Sequence, residues 1–187
     1  MSTVRRFQGA PGQADFEAEL LVTSEQVQAA YDRMAVALSA LVADRFPLFQ
    51  CVMVGGLIPC AQLLQRLSFP LQLDYLHATR YQGGTRGAEL EWKTRPTIPV
   101  AGRTVVVVDD ILDEGLTLEA IVNALLEDGA KQVLTVVLAD KQLDKSRALQ
   151  AADVTGLRIP DRYVFGCGMD VHGLYRELPD IYALCAV

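Results

Sequence analysis

Residues 104–118 read TVVVVDDILDEGLTL, and the expected architecture of the chain follows from them. The four consecutive valines form a β-branched run without alternation, which is typical of a strand buried on both faces of a parallel sheet. Two acidic residues, Asp109 and Asp110, come directly after the run, and a turn containing Gly115 comes next. Apolar residues then recur at helical spacing: Leu118, Ile121, Val122, Leu125 and Leu126. The segment therefore predicts a strand, an acidic pair, a glycine-bearing turn and a helix, in that order.

This order also predicts a ligand site at the end of the strand. In open α/β sheets, ligands bind in the crevice beyond the carboxyl ends of the strands. The turn places backbone N–H groups at a helix N-terminus, which favours an anion. Four acidic side chains within residues 109–114 would repel a phosphate unless a cation or sugar hydroxyls lie between them. The segment therefore indicates a phosphorylated sugar that binds together with a divalent metal.

The rest of the chain shows the alternation of buried strands and helices that predicts a parallel α/β sheet. Thr23 and Gln26 fit a capping box before an amphipathic helix, and Gly129 fits the C-terminal cap of the helix after the acidic turn. We find no internal repeat or second domain in the sequence, so residues 1–187 are predicted to form one domain. Residues 1–20 show weak periodicity, and we expect them to form an arm or part of a small hood.

The composition and net charge of the chain argue against several classes of binding partner. The formal net charge of -6 and the pI near 4.9 argue against nucleic acid as a partner, because that partner requires a basic face. The four cysteines fall at no metal-ligand spacing, and we find no signal peptide, so reduced thiols in the cytoplasm are expected. No apolar run reaches the length of a membrane span, so no membrane partner is expected.

Residues 104–118 resemble the phosphoribosyl-diphosphate signature of the type I phosphoribosyltransferases, and segments from Met53 to Arg176 resemble the hypoxanthine-guanine branch. The resemblance implies a mostly parallel sheet flanked by helices, with a small hood formed by the chain ends. It implies that hypoxanthine or guanine and phosphoribosyl diphosphate are converted to IMP or GMP and pyrophosphate. Mg²⁺ would be the cofactor, and a homo-oligomer, either dimer or tetramer, would be expected.

The same resemblance implies roles for the residues of the acidic turn. Asp109 and Asp110 would face the ribose hydroxyls and a bound metal, and Asp113 would be the general base for the purine N7 proton. As an alternative or additional role, Asp113 is an acid stabilised by the helix dipole. The 5′-phosphate would be held by four consecutive residues: Glu114, Gly115, Leu116 and Thr117. The family commonly has a small hydroxyl residue where this chain has Glu114, so we expect that carboxylate to point to solvent.

Two further segments resemble the pyrophosphate loop and the lid of the family. Val54, Gly55 and Gly56 would receive pyrophosphate, together with Arg176. The family often has a cis peptide in this loop, and many purine enzymes have a lysine where this chain has Val54. A glycine turn needed only for packing is the competing interpretation of this loop. Arg80 and Tyr81 precede the glycine-rich residues 82–87 and resemble the start of a lid that closes over the site.

The expected purine contacts come from two later segments. Lys141 would meet the 6-oxygen of a purine, because an ammonium group only donates hydrogen bonds and so disfavours an exocyclic amine. In IPDRYVFGCGMD, residues 159–170, Tyr163 would stack on the base and the Val164 backbone would pair with its edge. Asp170 would lie near the 2-position of the purine. Its carboxylate would be available to a second metal, which makes it a predicted metal ligand with Asp109 and Asp110.

Three alternatives are weighed against this transferase. The same fold can serve as a non-catalytic nucleotide-sensing regulator, because fold does not fix function. A receiver-type phosphorylation switch also uses acids at strand ends, but its acidic pair is expected at the first strand rather than deep in the chain. Within the transferase class, xanthine stays open as a substrate, because Lys141 would accept any 6-oxopurine.

Overall fold

The structure is a computed structural model that describes residues 3–80 and 90–185. It contains ten strands and three helices in its described part. The first half of the chain contains β1 (Val4–Phe7), β2 (Phe16–Val22), α1 (Ser24–Val42), β3 (Leu48–Val52), α2 (Leu57–Leu64), β4 (Gln72–Arg80) and β5 (Leu90–Thr94). The second half contains β6 (Thr104–Leu112), α3 (Leu116–Glu127), β7 (Gln132–Gln142), β8 (Val154–Pro160), β9 (Val164–Phe165) and β10 (Ile181–Leu184).

Six strands form the larger sheet, in the order β5-β4-β3-β6-β7-β8. All neighbours in it are parallel except β5, which runs antiparallel to β4. The central strand β6 is the predicted valine strand, and its four valines are fully buried. Val106 and Val108 pack in the core beneath α1 and α2, whereas Val105 and Val107 pack beneath α3. The run lacks alternation because both faces of the sheet are covered by helices.

Both predicted helix boundaries are confirmed. Thr23 caps α1 through a capping box, in which Gln26 N donates to Thr23 Oγ1 at 3.4 Å and Thr23 N donates to Gln26 Oε1 at 2.9 Å. Gly129 follows the end of α3 with φ of +88°, a left-handed conformation that favours glycine. No helix in residues 3–80 and 90–185 is long and apolar enough to cross a membrane.

The remaining four strands form an antiparallel sheet in the order β1-β2-β10-β9, which we call the hood sheet. It brings together the two ends of the chain, as the resemblance implied. Residues 4–7 pair with residues 16–22, and residues 16–22 pair in turn with β10 from the other end of the chain. Its core is an aromatic cluster of five rings: Phe7, Phe16, Phe165, Tyr175 and Tyr182. The mostly parallel α/β fold with a hood is confirmed.

Candidate active site

A cleft of about 700 Å³ lies at the carboxyl edge of the six-stranded sheet. The parallel strands β3, β4 and β6 all end there, so loops that are far apart in sequence meet along one edge. The walls of the cleft come from residues 52–55, residues 77–79, residues 109–118 and several later side chains: Leu143, Lys145, Asp161 and Arg176. The acidic pair, the turn and the glycine loop predicted from sequence therefore line a single cleft.

Asp109 and Asp110 occupy the end of β6. The Asp110 side chain is 12% exposed, and its backbone N–H donates to Asp109 Oδ1 at 2.9 Å. Burial raises the pKa of Asp109 well above its ordinary value, and the neighbouring Asp110 carboxylate raises it further. Burial also raises the pKa of Asp110, although the Arg176 guanidinium opposes this shift. A nearby cation, or hydrogen bonds donated by sugar hydroxyls, would therefore stabilise the charged form of these two carboxylates.

The predicted pyrophosphate loop passes close to this pair. A Cβ on Gly55 would collide with the Asp110 carboxylate, and one on Gly56 would lie only 2.7 Å from the Val52 carbonyl oxygen. Both glycines are therefore required for the loop to approach the sheet, in addition to any role toward a ligand. The peptide bond between Met53 and Val54 is cis. Val54 is 46% exposed and lines the cleft, where it offers no charge.

The turn after β6 has the form expected of an anion cradle. Gly115 has φ of +74° and is the N-cap residue of α3, and its backbone packs against Leu149 so closely that a Cβ would lie 2.8 Å from Leu149 N. Leu116 and Thr117 form the first turn of α3 and line the cleft. The first N–H groups of a helix have no partner within it. These groups are therefore available to an anion in the cleft.

Glu114 does not simply point to solvent. Its Oε1 lies 2.5 Å from Lys145 Nζ, with both side chains more than half exposed at the wall of the cleft. The Glu114 backbone carbonyl accepts a hydrogen bond from Ala148 N at 3.0 Å. From sequence, Lys145 is expected to be a surface charge, and no local pattern connects it with Glu114. The sequence analysis therefore missed Lys145 as a cleft residue.

Lys141 and Asp113 are in direct contact. Lys141 Nζ lies 2.7 Å from Asp113 Oδ2 and 3.9 Å from Asp161 Oδ1, and the lysine side chain is only 12% exposed. The contact arises because β6 and β7 are neighbouring parallel strands, with Leu112 paired to Asp140 at their ends. The residue predicted to accept the purine N7 proton and the residue predicted to meet the purine 6-oxygen therefore form one ion pair.

A second, smaller cavity of about 200 Å³ opens beside this ion pair. It is lined by Asp110, Ile111, Asp113, Lys141, Tyr163, Val164, Met169 and Asp170. Tyr163 is 51% exposed, so its ring is available for contact with a ligand. Three residues, namely Asp110, Ile111 and Asp113, line both this cavity and the large cleft. The four predicted purine contacts are thus brought together, with Met169 as a wall residue that the sequence analysis did not single out.

Arg176 links the hood side of the site to the acidic pair. Its guanidinium lies 2.6 Å from Asp170 Oδ1, donates to the Gly168 carbonyl at 2.6 Å, and lies 3.9 Å from Asp110 Oδ2. Asp170 also accepts a hydrogen bond from Gly173 N at 2.7 Å. Within residues 3–80 and 90–185, no group of three or more acidic, histidine or cysteine side chains is gathered to hold a metal. The predicted ligands Asp109, Asp110 and Asp170 do not form a ready-made three-carboxylate site.

The predicted lid begins at the edge of the described structure. Arg80 is the last residue of β4. Tyr81 and the glycine-rich residues 82–87 lie outside the described residues. Residues 77–79 of the same strand line the large cleft. Arg80, the described residue of the predicted lid, therefore directly follows the residues of β4 that line the cleft.

Comparison with known protein families finds a phosphoribosyl transferase domain over residues 21–172, which is most of the chain. The chain belongs to this family. The family predicted from residues 104–118 is thereby confirmed. The matched region begins near the end of β2, so β1 and most of β2 precede it.

Curated phosphoribosyltransferases resemble the chain over nearly its whole length. The hypoxanthine-guanine-xanthine phosphoribosyltransferase of Tritrichomonas foetus is 30% identical over 162 residues, which cover 87% of this chain and 88% of that protein. The hypoxanthine-guanine phosphoribosyltransferase of Bacillus subtilis is 30% identical over 167 residues, covering 89% of this chain and 92% of the relative.

Solved structures of phosphoribosyltransferases agree with the fold. A hypoxanthine phosphoribosyltransferase from Staphylococcus aureus superposes with a TM-score of 0.83 at 27% identity, covering 89% of this chain and 91% of that one. The Trypanosoma cruzi hypoxanthine phosphoribosyltransferase, solved with its product IMP, gives a TM-score of 0.79 at 26% identity and covers 89% and 93% of the two chains. The arrangement of sheets and helices is therefore shared with the family.

Proposed function

We propose that this phosphoribosyltransferase transfers the phosphoribosyl group of phosphoribosyl diphosphate to hypoxanthine or guanine, forming IMP or GMP and pyrophosphate in purine salvage. The observation that carries the proposal is the junction of the two cavities at Asp110 and Asp113. The large cleft suits a sugar phosphate, and the small cavity suits a planar base. A transfer reaction requires the reacting atoms of both substrates to meet at one point, and positioning them is a large part of its catalysis.

The large cleft provides the contacts that a phosphorylated ribose needs. Backbone N–H groups of Gly115, Leu116 and Thr117 at the start of α3 would hold the 5′-phosphate, with the Thr117 hydroxyl. Asp109 and Asp110 would accept hydrogen bonds from the ribose hydroxyls. Val54, Gly55 and Gly56 would receive the pyrophosphate through their backbone, with Arg176 beside them. These contacts orient the sugar so that its reacting carbon faces the small cavity.

The small cavity provides the contacts that select a 6-oxopurine. Lys141 is held there beside Asp113 and Asp161, and its ammonium can donate to a carbonyl oxygen. Tyr163 would stack on the base, which in nucleic-acid systems is worth roughly 1–3 kcal/mol. The Val164 backbone would pair with the purine edge. Asp113 would take the N7 proton, a role typically worth about 10²–10⁴-fold in rate.

The residues present also fit Mg²⁺. The raised pKa values of Asp109 and Asp110, caused mainly by burial, indicate a place where added positive charge is favourable. Mg²⁺ is usually held by one or two carboxylates together with water and substrate phosphates, so it does not need a three-carboxylate cage. Asp109 and Asp110 would hold it on the ribose side, and Asp170 would hold a second ion. When bound with the substrate, the ion neutralises the diphosphate leaving group.

The test is pyrophosphate release from phosphoribosyl diphosphate and Mg²⁺, measured separately with hypoxanthine, guanine, xanthine and adenine. We expect release with hypoxanthine and guanine and little with adenine, because Lys141 cannot accept a hydrogen bond from an exocyclic amine. Release with xanthine would place that base among the substrates. Release with none of the bases, while a purine nucleotide still binds, would overturn the proposal in favour of a nucleotide-sensing regulator.

A further inference from the structure

Lys145 lies where a bound phosphate would meet it. It lines the large cleft together with the cradle residues Gly115, Leu116 and Thr117. Its Nζ is hydrogen-bonded to Glu114 Oε1 at 2.5 Å. That hydrogen bond is the main reason why the pKa of Lys145 is raised, with the charges of Glu114 and Asp113 adding to it. A positively charged side chain therefore lines the same cleft as the anion cradle of this chain.

The segment that carries Lys145 is held in place by contacts on its C-terminal side. Arg147 is 11% exposed, forms an ion pair with Asp140 at 2.7 Å, and donates to the Lys141 carbonyl at 3.0 Å. Ala148 N donates to the Glu114 carbonyl. Leu149 packs against Gly115. Because Ala148 and Leu149 contact the cradle turn itself, the segment that carries Lys145 lies directly beside the cradle.

The negative charges of the cradle turn indicate a function for the Lys145 ammonium group. Asp113 and Glu114 bring two carboxylates next to a site for a doubly charged phosphate, and like charges at such distances repel. An ion pair with both partners this exposed contributes little to folding stability. Stability therefore does not account for its placement at the cleft wall. A lysine is also a common phosphate partner in proteins, where it acts as a point charge.

We propose that Lys145 is a binding residue for the 5′-phosphate, and that Glu114 holds its ammonium group beside the cradle until the phosphate arrives. This inference rests on the proposed function, because it needs the phosphate to occupy the cradle of α3. On binding, the ammonium group donates to a phosphate oxygen, while the Glu114 carboxylate turns outward to solvent. The chain would then have a charged side-chain contact at the turn where Glu114 replaces the family's small hydroxyl residue.

The proposal is tested by calorimetric titration with IMP, and with inosine, which has the same base and ribose but no phosphate. We expect Lys145→Met to weaken IMP binding about tenfold, as for the loss of one hydrogen bond to a charged group, and to leave inosine binding unchanged. Lys145→Arg should keep IMP affinity within about threefold of wild type. Lys131→Met is the matched control, because this exposed lysine precedes β7 at the opposite edge of the sheet. It should change neither affinity.

A double variant separates phosphate contact from simple neutralisation of Glu114. Glu114→Gln alone should tighten IMP binding, because one negative charge beside the phosphate is removed. If Lys145 contacts the phosphate, Glu114→Gln combined with Lys145→Met still binds IMP about tenfold more weakly than Glu114→Gln. Equal IMP affinities of these two variants would overturn the inference, since Lys145 would then act only on Glu114.

Failure of the inference and failure of the proposed function give different results. If wild type releases pyrophosphate with hypoxanthine and Lys145→Met keeps wild-type IMP affinity, only the role of Lys145 is rejected. If wild type neither releases pyrophosphate with any base nor binds IMP, the transferase proposal fails, and the role of Lys145 fails with it.

Discussion

The six-stranded sheet is packed with mostly aliphatic side chains on both faces, whereas the hood sheet is packed by five aromatic rings. In the larger sheet, the valines of β6 meet α1 and α2 on one side and α3 on the other. In the hood, Phe7 contacts four rings, with centroid distances of 4.9–5.7 Å. The larger sheet is therefore stabilised by layers of local elements, and the hood by one cluster assembled from distant parts of the chain.

The two sheets also supply different halves of the site. The larger sheet provides the large cleft, proposed to bind the sugar phosphate, through the end of β6, and it provides Lys141 at the end of β7. The hood provides Val164 in β9, and the loop after it carries Asp170 and Arg176. Phe165, directly after Val164, is one ring of the aromatic cluster. We therefore expect chemistry to depend mainly on the larger sheet, and the proposed base and pyrophosphate contacts to depend on how the hood is held against it.

The largest expected effect is on the chemistry attributed to the larger sheet. Asp113→Asn should lower kcat with hypoxanthine by about 10²–10⁴-fold, because the carboxylate that accepts the N7 proton is lost. Phosphoribosyl diphosphate binding, measured by calorimetry, should stay near wild type. Asp144→Asn, an exposed change in the loop after β7, is the control. Equal losses of turnover and of phosphoribosyl-diphosphate binding would reject Asp113 as the base.

The second prediction concerns how far the stability of the hood sheet depends on its aromatic cluster. Phe7→Ala removes a ring that is 3% exposed. We therefore expect the free energy of unfolding of the hood sheet to fall by about 3–5 kcal/mol. Hydrogen exchange should show lost protection in β2 and β10, while β6 stays protected. Phe46→Ala, at an aromatic residue that is 51% exposed, should change protection little. Equal loss of protection in both sheets would show that they unfold as one unit.

The smallest of the three effects concerns the junction of the two sheets. Lys141→Met should lower kcat/KM for hypoxanthine by about 10–100-fold, the cost of one hydrogen bond from a charged donor. The affinity for phosphoribosyl diphosphate should change little. Steady-state kinetics with hypoxanthine and adenine measure both the loss and the preference between the bases. A preference for 6-oxopurines that is unchanged in the variant would remove Lys141 as the source of that preference.

Much of the larger sheet could be predicted because its signals are local. About 25 consecutive residues contain the valine run, the acidic pair, Gly115 and the apolar stripe of α3. Each of these is a local pattern that is typical of a strand, a turn or a helix. The capping box at Thr23 and the glycine after α3 could also be predicted from local sequence patterns. Gly55 and Gly56 could be predicted as a glycine turn, but their close approach to Asp110 and to the ends of β3 and β6 could not.

The hood was harder to predict because its strands find their partners far along the chain. The short strand β1 has weak periodicity, and β2 pairs with β10, about 160 residues later. The aromatic cluster likewise joins Phe7 and Phe16 to rings from residues 165–182. Nothing within a local window shows that these segments share a sheet.

The sequence established the fold class and predicted the anion cradle, since both depend on contiguous residues whose spacing reflects a backbone period. The roles predicted for most site residues came from the resemblance to the family. The tertiary structure decided which of these side chains meet. The contact of Lys141 with Asp113 spans 28 positions, and that of Lys145 with Glu114 spans 31. Both exist because β7 pairs in parallel with β6, which brings the loop after one strand to the turn after the other. The order of the strands depends on burying the apolar faces of the sheet and helices against each other. The contact partners of a charged loop residue are therefore determined only when the sheet has formed.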